Sequence, residues 1–124
     1  YMYTPPGYDQ NAAANYPVLY ILHGGGEDQR GWATQGKTDL ILDNLIAEKK
    51  ATPMVVIMVD GNMPGRGFGE ESLNLFEKEL KQCVIPFVEK NYRVKLHFST
   101  EHLSVGYWIL YLKLNRHSRD LTSF

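Results

Sequence analysis

The chain is poor in several features that would each have pointed to a class of protein. It has a single cysteine, Cys83, among 124 residues, and one cysteine closes no disulfide within the chain and says nothing of the redox compartment. Its apolar runs are about seven residues long, far short of the roughly 20 that span a bilayer. It carries no excess of charge: 13 lysines and arginines face 14 aspartates and glutamates, for a net charge of −1. That balance gives no electrostatic case for nucleic acid or an anionic membrane as partner. Neither phosphate-cradling fingerprint, GxGxxG or GxxxxGK(S/T), occurs, so phosphate binding is a weak reading. No signal-peptide pattern opens the chain, and Tyr1-Met2-Tyr3-Thr4 reads as the middle of a strand.

What is present is a globular composition, 44% hydrophobic, on a chain long enough for one domain with a sizeable core. "YTPPGY" (3–8) ends an extended segment, because two prolines forbid a central strand and Gly7 suits a turn. "YPVLYIL" (16–22) and "MVVIMVD" (54–60) are continuously apolar and rich in β-formers. Strands of that kind need cover on both faces, which is the signature of a parallel sheet. Between them "TDLILDNLIAEKK" (38–50) reads as a helix, capped by Thr38, with Leu42, Leu45 and Ile46 on one face. From Glu70 to Tyr92 the residues Leu73, Phe76, Leu80, Val84, Phe87 and Val88 recur at helical spacing, and Pro86 should bend or divide that helix. Cys83 falls among them and reads as core. Strand, helix, strand, helix is an α/β order with a mainly parallel sheet.

The stretch "YILHGGGEDQRGW" (20–32) raises the chemical question. Three consecutive glycines after a buried strand let backbone N–H groups face a ligand without interference from Cβ atoms. In acyl transfer such amides form an oxyanion hole, and losing one donor costs on the order of 3 kcal/mol of transition-state stabilisation. HGGG after a strand is the pattern of lipases and esterases. A plain tight turn, with His23 capping the strand, is the bland alternative and stays open on the motif alone.

The segments "YTPPGYDQ", "YPVLYILHGGGEDQRGW", "DLILDNLIAEKKATPMVVIMVDGN" and "FEKELKQCVIPFVEKNYRV" stand in an order and spacing that resembles an esterase family of α/β hydrolases. The likeness is to the feruloyl esterases and acetyl-xylan esterases of the carbohydrate esterase family 1 type, and it covers about residues 1–94. The resemblance implies the N-terminal portion of an α/β-hydrolase fold and a serine esterase that needs no metal and no organic cofactor. It implies an oxyanion loop at Gly24, Gly25 and Gly26, with the Gly25 amide the preferred donor. His23 would brace that loop, and Trp32 and Asn62 would lie near the substrate. The implied partner is an ester of feruloylated or acetylated plant polysaccharide, and the implied setting is secreted or periplasmic. Trp32 as core cover and Asn62 as a turn residue are the structural alternatives.

Beyond residue 94 the pattern departs from the family. No G-x-S-x-G nucleophile elbow occurs; the nearest match is "HLSVG" (102–106), which puts Ser104 in the serine place and His102 where a glycine belongs. The family order of serine, acid, histidine is not met, since His117 precedes Asp120 within the 20 residues after Ser104. "YWILYLKL" (107–114) reads equally as a strand or a short helix. Residues 95–124 therefore read as a divergent tail on a truncated domain, whose exposed sheet edge would favour self-association. Two functions follow from different classes. One is a carboxylic-ester hydrolase with Ser104 as nucleophile; the other is a non-catalytic remnant that at most binds aromatic or carbohydrate ligands.

Overall fold

The two apolar runs meet at the centre of the molecule, whose computed structural model describes residues 1–62, 70–95, 100–104 and 109–112. Strand β2 (Val18–Leu22) pairs in parallel with β3 (Val55–Val59), in a register that sets Val18 opposite Val55 and Leu22 opposite Val59. Strand β1 (Met2–Tyr3) runs antiparallel along the other side of β3, so the sheet order is β1-β3-β2. The sheet is thus mixed, one parallel and one antiparallel pair, where a mainly parallel one was expected. The turn after β1 forms as its residues dictate: Tyr8 N–H donates to Pro5 C=O at 3.0 Å, with Gly7 at φ +81°.

Every residue of β3 is buried, Val55 and Val56 completely, and the pleat divides them between two apolar layers. Val55, Ile57 and Val59 join Tyr20 and Leu22 against Phe76, Leu80, Ile85 and Val88. Val56 and Met58 join Tyr3 and Ile21, with Trp32, Leu42 and Ile46 packed over them. A sheet covered on both faces by helices is what an unbroken apolar strand requires. Each such side chain contributes about 1.5–3 kcal/mol when fully buried.

On one face lie the short helix α1 (Gly31–Thr34) and helix α2 (Thr38–Ala47). Thr38 does not cap α2. The cap position is Lys37, at φ +48°, while the Thr38 hydroxyl donates to Trp32 C=O at 2.8 Å and ties the two helices. Helix α2 ends in a Schellman closure, Lys49 N–H to Ile46 C=O and Lys50 N–H to Leu45 C=O. Lys49 takes the left-handed place, at φ +58°, that glycine usually fills. Leu42, Leu45 and Ile46 turn inward but none is fully buried, and Leu40 and Ile41 are exposed.

The other face is covered by α3 (Glu70–Glu79), a π-helical stretch Leu80–Val84 and α4 (Ile85–Asn91). The expected effect of Pro86 takes this form. Proline has no N–H to donate, and the turn ahead of it widens so that Ile85 N–H reaches Leu80 C=O, an i to i−5 bond. The extra residue in that turn shifts the helical phase by one. Beyond Leu80 the buried positions are therefore Ile85 and Val88, while Phe87 is 59% exposed. Leu73, also expected inside, sits at the surface, and Cys83 is exposed on the widened turn rather than in the core.

After α4 the chain returns beside the entry to β2. Tyr16 N–H donates to Arg93 C=O at 3.0 Å and Lys95 N–H to Tyr16 C=O at 2.8 Å. The Arg93 guanidinium lies 4.0 Å from the centre of the Tyr8 ring, which is itself 5.3 Å from that of Tyr16. Strands β4 (Thr100–Ser104) and β5 (Ile109–Leu112) form an antiparallel pair of their own, and β5 lies close to β2. The ambiguous apolar run near residue 110 is thus a strand.

Candidate active site

Parallel strands β2 and β3 end side by side, and the segments that leave their C-terminal ends carry the chemistry-bearing residues. Leu22 opposite Val59 is the last pair, so His23 and Asp60 emerge together. The imidazole of His23 is 4% exposed, the one buried polar residue among the described ones. Its Nδ1 lies 2.8 Å from Gly24 C=O, and Gly61 N–H donates to its Nε2 at 3.1 Å. Those two bonds assign the proton to Nδ1, which donates to the carbonyl. The Asp60 carboxylate also lies 3.2 Å from Nε2. In that neutral tautomer this contact is a close approach of two acceptors rather than an ion pair, and Asn62 N–H supplies Asp60 Oδ1 with a donor at 3.0 Å. Both ring nitrogens are therefore engaged in holding one loop to the other.

The glycine loop closes as a β-turn, Glu27 N–H to Gly24 C=O at 3.2 Å, with Gly26 at φ +81° in its third place. That sign of φ at that place is what a type II turn demands, which accounts for glycine there. Gly24 N–H donates to the Glu27 carboxylate at 3.1 Å. The Asn62 side-chain amide donates to Glu27 C=O at 2.9 Å, a second bridge from the β3 side. Gly25 is exposed, and its N–H meets no protein acceptor among the described residues. Trp32 donates its indole N–H to Leu22 C=O at 2.8 Å and packs its half-buried ring over the second apolar layer. It fastens the far side of the loop to the end of β2.

Beside the loop an open polar cavity of about 430 Å³ is lined by Gly26, Glu27, Asp28, Arg30 and Gly31 among others. Hydrogen bonds from the Arg30 guanidinium, and then from its backbone N–H, hold the Asp28 carboxyl below the usual carboxylate range. Asp28 in turn raises Arg30. Both groups are solvent-facing, so the pair shapes the cavity wall more than it stabilises the fold. Among the described residues no cluster of three or more histidine, cysteine or acidic side chains could hold a metal ion, and no helix is long and apolar enough to cross a membrane.

Of the residues singled out from the sequence, Gly24, Gly25, Gly26, His23, Trp32 and Asn62 come together at the ends of β2 and β3. Ser104 is the last residue of β4, with its Cα opposite Ile109; its side chain and that of His102 lie outside the described residues. So do His97, His117 and Asp120 altogether. Sequence reasoning passed over Glu27, Asp60 and Gly61. Glu27 carried a local signal, an acid three residues after the first glycine of a turn, while Gly61 reaches His23 from 38 residues away with no local trace.

Comparison with known proteins gives a consistent result. A family model described as "Putative esterase" matches residues 1–100. An endo-1,4-beta-xylanase/feruloyl esterase of Xylanibacter ruminicola is 39% identical over 100 residues, 76% of this chain and 14% of the relative. Endo-1,4-beta-xylanase Y of Acetivibrio thermocellus is 35% identical over 92 residues, 73% of this chain and 8% of the relative. Among solved structures, the CE1 ferulic acid esterase AmCE1/Fae1A of Anaeromyces mucronatus superposes with a TM-score of 0.65 at 27% identity. That match covers 78% of this chain and 38% of the other. A mutant of the feruloyl esterase module from Clostridium thermocellum, complexed with sinapinate, gives a TM-score of 0.63 at 33% identity over 75% of this chain and 31% of the other. The chain thus spans about a seventh or less of the two curated relatives and under two fifths of these two structures.

Proposed function

The chain belongs to this esterase family, and on that premise we propose that it carries the oxyanion-binding portion of a serine carboxylesterase acting on feruloylated or acetylated plant polysaccharide. The observation that carries the reading is the glycine loop at the end of a buried parallel strand, with the Gly25 amide unengaged among the described residues. An ester carbonyl oxygen seated there would gain its negative charge against a fixed N–H dipole, with no reorganisation at the moment of reaction. Each donor of that kind is worth on the order of 3 kcal/mol in the transition state.

In this reading His23 braces the loop and takes no part in proton transfer, since both of its nitrogens are committed. Trp32 and Asn62 hold the loop from its two sides and border the substrate. Ser104 is the proposed nucleophile: its hydroxyl would attack the ester carbonyl and pass its proton to a base, which returns it to the alcohol as the ester C–O bond breaks, and water would then hydrolyse the acyl-enzyme to the free acid and restore the serine. His97, His102 and His117 are the candidates for that base. The sequence "HLSVG" departs from G-x-S-x-G at its first position, and this favours a second reading, a non-catalytic chain that binds aromatic or carbohydrate ligands beside Trp32.

Hydrolysis of an activated acetate ester and of methyl ferulate, with Ser104→Ala alongside, separates the two. Turnover that disappears in Ser104→Ala establishes the esterase and its nucleophile. Background hydrolysis by both proteins, with saturable binding of ferulate, establishes the second reading.

A further inference from the structure

We infer that the Glu27 carboxylate is a resident, displaceable anion on the glycine loop, which competes with small carboxylates and substrate oxyanions for the Gly24 amide. The inference rests on the glycine-loop reading above and adds a residue that the sequence pattern did not single out.

The Glu27 carboxylate accepts from Gly24 N–H at 3.1 Å, and the space that it fills exists because two residues lack side chains. A Cβ at Gly24 would lie 3.3 Å from its Oε2, and one at Gly31 would lie 3.1 Å from the same atom. An anionic oxygen on a backbone amide, set between two glycines, reproduces the contact that an oxyanion hole offers its ligand. The side chain reaches that place because its own backbone is held: Glu27 N–H bonds Gly24 C=O, and Glu27 C=O accepts from the Asn62 amide at 2.9 Å. Glu27 is nevertheless exposed. Rotation of its side chain into water disturbs no packing, so an incoming anion can displace it. With Glu27 in place the Gly25 amide, which meets no acceptor among the described residues, is open to a ligand. With Glu27 turned out, Gly24 N–H joins it.

The test is a titration of the ¹⁵N-labelled full chain with sodium acetate, against sodium chloride at equal ionic strength, following the Gly24 and Gly25 amide resonances. It is run on the wild-type chain, Glu27→Ala and Glu27→Gln. Removing a charge-assisted competitor should tighten the apparent acetate affinity at Gly24 by about tenfold in Glu27→Ala. Glu27→Gln, whose neutral amide oxygen is a weaker occupant of the same length, should fall between. Equal acetate responses in wild type and Glu27→Ala, no response of Gly24 in Glu27→Ala, or a chloride response as large as that to acetate would each overturn the inference. Ester hydrolysis by the same three proteins is scored separately. A Glu27→Ala chain that binds acetate at Gly24 and hydrolyses nothing keeps this inference and removes the esterase reading. A chain that hydrolyses esters with Gly24 silent to acetate does the reverse.

Discussion

Replacing His23 by alanine tests whether one buried imidazole holds the two loops together. The ring is 4% exposed and makes two bonds, Nδ1–H to Gly24 C=O at 2.8 Å and Gly61 N–H to Nε2 at 3.1 Å. Each is worth about 1 kcal/mol net, and the abandoned partners add a desolvation cost where water cannot reach them. The vacated ring volume adds a further penalty, as large-to-small changes at buried sites do. Taken together the loss should be about 3 kcal/mol. With a urea slope of about 2 kcal/mol/M, the unfolding midpoint should fall by about 1.5 M. His23→Asn is the discriminating partner. Its side-chain amide can still donate toward Gly24 C=O but is too short to reach Gly61 N–H as Nε2 does, so it should recover about 1 kcal/mol of the loss. Native-state hydrogen exchange at the Gly61 amide should accelerate in both variants. A midpoint shift under 0.5 M for His23→Ala, about 1 kcal/mol on that slope, would refute the clamp. So would unchanged exchange at Gly61 in His23→Asn.

Three further outcomes are expected. Gly61→Ala places a Cβ 2.4 Å from Leu22 Cδ1 and should cost about 1–3 kcal/mol by overpacking; in a double-mutant cycle measured by urea unfolding, adding Leu22→Ala should erase most of that cost. Burial first, and then the hydrogen bond to Asp43, raises the Tyr3 phenol, and burial with the nearby Glu89 charge raises that of Tyr20. The unfolded chain ionises these groups near pH 10 while the folded one does not, so their contribution is whole below that pH and lost above it. Stability followed across alkaline pH should fall from about pH 10, and the Tyr3→Phe/Tyr20→Phe double variant should flatten that fall; an unchanged profile in the double variant would remove these phenols as the cause. Finally, β1 is one edge of the three-stranded sheet, whereas β2 at the other has β5 close beside it, and self-association through the β1 edge should appear as a sedimentation-average mass that rises with protein concentration. A constant monomer mass would exclude it.

The division between what was legible in the sequence and what was not follows the range of the interactions. Two unbroken apolar runs determined two buried strands, because a strand without polar residues can only sit between covered faces. HGGG after the first run determined a glycine loop at that strand's end, since the need for φ > 0 at Gly26 is local. The long amphipathic stretch determined a helix and its covering role. Its inner face after Leu80 could not be read in the same way. The π turn ahead of Pro86 advances the phase by one residue, burying Ile85 and exposing Phe87 and Cys83, and only the packed helix decides where that extra residue goes. The partners of His23 are likewise a product of tertiary structure. Gly61 and Asp60 reach it because β2 and β3 end in register, an alignment between residues 37 apart in the chain. Glu27 is a mixed case: the turn that brings its carboxylate to the Gly24 amide is local, while the bond from Asn62 on the other strand's loop to its backbone is not.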